Sequence, residues 1–68
     1  MKQFTMTCQD LNITRNFMEN DLKLLTTPPV WDSRWNGKPI WDDVNALGQN
    51  ETFTFHYKDK TWEITRIA

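Results

Sequence analysis

Between Glu51 and Ile67 the chain reads ETFTFHYKDKTWEITRI, and no other stretch limits the possible folds so tightly. Apolar residues alternate with threonine, histidine and glutamate on both sides of Lys58-Asp59-Lys60. Strand side chains point to opposite faces with period two, so the pattern predicts a β-hairpin with one aromatic and one polar face. Setting Tyr57 opposite Trp62 places Phe55 against Ile64 and Phe53 against Arg66. The polar face then pairs Thr54 with Thr65 and His56 with Glu63. A slip by one residue would put Phe55 against Glu63 and spoil both faces.

Lys2 to Cys8 alternates in the same way. Phe4, Met6 and Cys8 fall on one side, Gln3, Thr5 and Thr7 on the other, which predicts a half-buried strand that joins the hairpin. Thr7-x-x-Asp10 reads as a variant capping box, so a long helix is expected from Gln9 to Thr26, stopped by Pro28. Wound as a helix, this segment carries two apolar stripes. Leu11, Met18, Leu22 and Leu25 form one; Ile13, Phe17 and Leu24 form the other. A surface helix ordinarily has one such stripe. One can lie on the sheet. The other needs a separate cover, and a homodimer seam through Ile13, Phe17 and Leu24 is one way to supply it.

The segment TPPVWDSRWNGKPIW, Thr27 to Trp41, holds three of the four tryptophans. Trp31 and Trp35 are four apart, so a single helical turn would stack them on one side. Asn36-Gly37 supplies a residue at positive φ. The indoles are expected either to lie across Ile13, Phe17 and Leu24 or to face a partner. Pro39 to Leu47 reads as a second short helix. Pro39 opens it, Asp42 and Asp43 sit in its first turn, and Gly48 ends it. The expected fold is α+β: a three-stranded antiparallel sheet packed on one long helix, with a second short helix, in the order β-α-α-β-β. Residues 1–68 read as a single small domain.

The same residues exclude several functions. A core this small usually yields only about 3–5 kcal/mol of net stability. One cysteine rules out an internal disulfide, and one histidine with one cysteine makes a metal site unexpected. No cofactor is expected, since neither glycine lies in a phosphate-binding loop. Net charge is −1, with both signs spread along the chain. That disfavours electrostatic capture of nucleic acid or anionic membrane. No apolar run approaches a membrane span or a signal peptide, so the cytoplasm is the expected compartment.

His56 beside Glu63 is half of a catalytic dyad, but no nucleophile is fixed near it, and an exposed polar pair is the better reading. Asp42 and Asp43 point about 100° apart on a helix and do not converge on one ion. Trp41 and Trp62 are spaced somewhat as in WW domains. That family's closing proline is absent, with Thr65 in its place, and DDVNALG reads as helix. The chain therefore reads as a non-enzymatic protein-binding modulator or inhibitor, of the kind common as accessory factors of bacteria and phages. Its expected contact residues are Trp31, Arg34, Trp35 and Trp41, because Trp and Arg are enriched at interface hot spots. The alternative is a nucleic-acid-binding module, winged-helix-like or stacking bases on its sheet, with Lys58 and Lys60 at the hairpin tip touching phosphate.

Overall fold

The computed structural model describes residues 1–68 and shows an α+β fold with a four-stranded antiparallel sheet. Three strands stand where the alternation places them: β1 (Gln3–Cys8), β3 (Thr52–Tyr57) and β4 (Lys60–Arg66). The fourth, β2 (Ile13–Met18), occupies the middle of the expected long helix. Only the end of that segment is helical, as α1 (Glu19–Leu25). Two further short helices follow, α2 (Ser33–Asn36) and α3 (Trp41–Asn45). The spatial order of strands is β2-β1-β4-β3, with the two terminal segments of the chain at the centre.

The long helix fails at Asn12. Gln9–Leu11 makes one 3₁₀ turn, and Asn12 closes it in the left-handed region at φ 53°. Asparagine is one of the few residues that visits this region readily. The chain then reverses, and Ile13 pairs with Cys8 while Phe17 pairs with Phe4. Each of the two stripes is thus divided between β2 and α1, with Leu11 in the 3₁₀ turn. Ile13 and Phe17 are four apart, and four is both a multiple of the strand period and close to one helical turn. Thr7 makes no cap, since no side chain caps the 3₁₀ turn. The Asp10 carboxylate instead accepts the Thr61 N–H at 3.1 Å, just beyond the last residue of β4 that β1 pairs.

The hairpin turns more tightly than expected. Lys58 and Asp59 form a two-residue loop at φ 51° and 61°, both in the left-handed region. Such primed turns match the right-handed twist of the flanking strands. Tyr57 therefore pairs with Lys60, Phe55 with Trp62 and Phe53 with Ile64. The register is displaced by two residues from Tyr57–Trp62, which leaves both faces intact because the side-chain period is two. His56 faces Thr61 and Thr54 faces Glu63, so the expected His56–Glu63 pair is not formed.

One sheet face carries the core. Phe4 and Ile64 are fully buried there, with Met6, Phe17, Phe53 and Phe55 packed around them. Leu22 of α1, Trp31, Ile40, and Trp41 and Val44 of α3 form the layer above. Trp41 meets Phe4 edge-on at 6.1 Å between ring centroids. Ile40 takes the N-cap of α3, so Pro39 lies before the helix rather than opening it. The opposite face is a polar lattice. Asn16, Thr5, Thr65 and Thr52 follow one another across the four strands, as do Thr14, Thr7, Glu63 and Thr54. Hydroxyl contacts link the first row, Thr5 to Asn16 at 3.0 Å and Thr52 to Thr65 at 2.8 Å. The thinnest dimension of the molecule is 16 Å, enough for the sheet and one covering layer.

Candidate functional site

The tryptophans do not act as a group. Trp31 and Trp41 are buried, at 7% and 8% exposure, so both belong to the core, and only Trp31 also lines the groove described below. Trp31 fastens the loop that carries it. Its backbone N–H donates to Thr27 at 3.0 Å, and its indole Nε1–H is shared between the carbonyls of Gly37 and Lys38, both at 3.1 Å. The ring meets Phe55 edge-on at 5.8 Å. A large apolar body with one N–H to satisfy suits this place.

Trp35 is 74% exposed. It parts from Trp31 because helical geometry begins only after Asp32. The Asp32 carboxylate caps α2 by accepting the Arg34 N–H at 2.9 Å. Trp31 lies before that cap, so the stacking expected at four-residue spacing does not arise. Arg34 folds its guanidinium back onto the same carboxylate at 3.1 Å while staying largely in solvent. Its side-chain hydrogen bond, and then its backbone N–H, hold the Asp32 carboxyl below the ordinary carboxylate range.

Beside this turn the covering layer leaves a gap. α1 and α3 are too short to roof the whole aromatic face, and a groove of about 230 Å³ opens above the hairpin end of the sheet. Leu22 and Leu25 form one wall; Trp31, Phe55, Tyr57 and Trp62 form much of the rest. Seven of its nine lining residues are hydrophobic, so it can hold an apolar group but offers little chemistry. Trp62 stacks on Phe55 at 6.5 Å, and its buried Nε1–H has no acceptor. Four of the eight large hydrophobics left exposed in the chain, Leu24, Leu25, Val30 and Trp35, fall in the adjoining stretch 24–35.

The other expected site residues are scattered. Ile13 and Phe17 lie half-buried on β2 and Leu24 is 64% exposed on α1, so these three do not form one helix stripe. Lys58 sits over the Tyr57 ring at 5.4 Å, and Lys60 pairs with Tyr57 on the core face. The aromatic face they border carries the core, and the part of it left uncovered is the groove lined by Phe55, Tyr57 and Trp62. α3 buries Trp41 and Val44 and turns Asp42 and Asp43 to solvent. Cys8 is buried. No three His, Cys, Asp or Glu side chains converge on a point, and no helix is long and apolar enough to cross a membrane. No protein-family model, curated protein or solved structure matches this chain.

Of the nine residues that line the groove, only Trp31 is among the contact residues expected from sequence; Met6, Leu25, Tyr57 and Trp62 are among the eight that are not. Each was assigned to an apolar face, correctly, but which part of that face stays uncovered depends on the length of the cover. The signal available was the aromatic load at the hairpin tip set against the short helix that Pro39 and Gly48 allow.

Proposed function

We propose that this chain is a non-enzymatic protein-binding modulator that acts in the cytoplasm, in the manner of a small bacterial or phage accessory factor. Its contact surface is the groove, with Trp31 in its wall and Trp35 and Arg34 at its side; Trp41 supports that surface from within. One observation carries the reading. A largely exposed tryptophan, Trp35, directly precedes Asn36 in the wall of an apolar groove that the chain's own cover leaves unfilled. Trp35 contributes little to the fold, whereas Trp and Arg supply much of the binding energy at protein interfaces. The groove is also smaller than the roughly 300–1,000 Å³ of small-molecule sites, so it fits an anchoring side chain of another protein better than a metabolite. Occupying a partner's surface in this way would block or redirect that partner.

The test compares affinity purification and calorimetry for wild type, Trp35→Ala, Leu25→Asp and the double variant Lys58→Ala/Lys60→Ala. Trp35→Ala and Leu25→Asp should each weaken a captured protein by about 2 kcal/mol or more, roughly thirtyfold. The lysine variant should bind as wild type does. Equal capture by Trp35→Ala would sink the proposal. So would capture of nucleic acid that is lost steeply with salt and with the two lysines.

A further inference from the structure

The sheet has two edges, β2 and β3, and they are built differently. At the β3 end of the ladder, the Arg66 N–H donates to the Glu51 carbonyl at 3.0 Å. Hydrogen-bonded and non-bonded pairs alternate in an antiparallel ladder, so Phe53, Phe55 and Tyr57 turn their main-chain groups toward β4. Thr52, Thr54 and His56 turn theirs outward. β3 reads TFTFHY, without Lys, Arg, Asp, Glu or Pro, and it pairs with β4 continuously over its six residues, without a bulge. Sheet edges are ordinarily protected by one of those devices. β2 carries Arg15 on the core side of its edge.

We infer that two copies of this chain pair edge to edge through β3, antiparallel, about a two-fold axis at Thr54. The strand is complementary to itself in that register. Thr54 meets its own counterpart, and Thr52 of one copy meets His56 of the other. These are the residues whose main-chain groups point outward, so each pair exchanges both of its hydrogen bonds. Phe53 of one copy then faces Phe55 of the other in the closer, non-bonded pairs. Both rings are only half-buried in the single chain, and they already stack on each other at 6.4 Å. Pairing extends that aromatic row across the seam and removes the remaining ring surface from water. No like charges meet. The same register brings the Lys58 end of each strand to the Glu51 end of the other, so opposite charges meet at both ends. The corresponding pairing of β2 with itself, about Asn16, would set Arg15 against Phe17. The contact is small, so the dimer is a weak one. Phe55 belongs to both the seam and the groove wall, whereas Thr54 does not line the groove, so Thr54→Lys tests the seam alone.

Sedimentation of the full chain over a wide concentration range tests this, together with amide exchange at low and high concentration. Wild type should pass from monomer to dimer as concentration rises. The Thr52, Thr54 and His56 amides should become slow only in the dimer, with Phe53 and Phe55 slow throughout. Thr54→Lys, a polar change at an exposed position, should remain folded by circular dichroism and monomeric. Under oxidation Thr54→Cys should cross-link to itself, whereas Thr52→Cys and His56→Cys should cross-link only when mixed. A monomer at every concentration overturns the inference. A dimer that survives Thr54→Lys, or outward amides equally slow at both concentrations, also overturns it.

Discussion

Trp31 and Trp35 show how far one residue type can diverge within five positions. One indole is anchored by two carbonyls and the Phe55 ring; the other faces solvent. Their stability effects should diverge accordingly. Trp31→Ala removes a core ring and should cost about 3–5 kcal/mol, comparable to the whole net stability of a domain this small. Far-UV circular dichroism should find it largely unfolded. Trp35→Ala should cost no more than about 0.5 kcal/mol of stability, read from the urea midpoint. Which indole would be buried was not legible from composition, because both sit in the same run between Pro29 and Gly37. The difference comes from Asp32, whose cap starts the helical turn at Ser33, two residues beyond Trp31.

At the level of elements, the hairpin shows what alternation can and cannot decide. It separates the two faces, and the structure keeps them. It cannot distinguish registers that differ by two residues, since both preserve the faces. Turn geometry makes that choice, and here it is made with Lys58, which disfavours it, and Asp59, which tolerates it better. Lys58 and Asp59 both adopt left-handed φ, which costs an L-residue about 1–2 kcal/mol each. Replacing them as Lys58→Asn with Asp59→Gly should relieve much of that strain. The double variant should gain about 1–2 kcal/mol and raise Tm by several degrees, measured by thermal denaturation. β2 illustrates the converse failure. Its apolar residues Ile13 and Phe17 satisfy helix and strand alike, and only the left-handed Asn12 and a second apolar stripe with no role on a helix signalled a reversal.

Over the whole molecule, stability should follow position in the sheet. β1 and β4 are flanked on both sides, whereas β2 and β3 are edges. Amide exchange should therefore be slowest at Thr5, Met6 and Thr7 of β1, and fast at Thr14 and Asn16, whose main-chain groups face outward, at any protein concentration. Equal protection at Thr14 and Thr5 would show that the edges are not as placed. By itself the sequence determined a mixed α+β class, the strands at both ends, the apolar and polar sides of each, and a helix end just before Pro28. All of these are local consequences of side-chain period and backbone preference. Only the tertiary structure decided the rest: that Ile13–Met18 is a strand, that Trp31 and Trp41 are core, and where the groove opens. Those outcomes depend on what lies opposite each residue. A periodicity shared by helix and strand, or a face whose cover is too short, acquires meaning only when the other layer is in place.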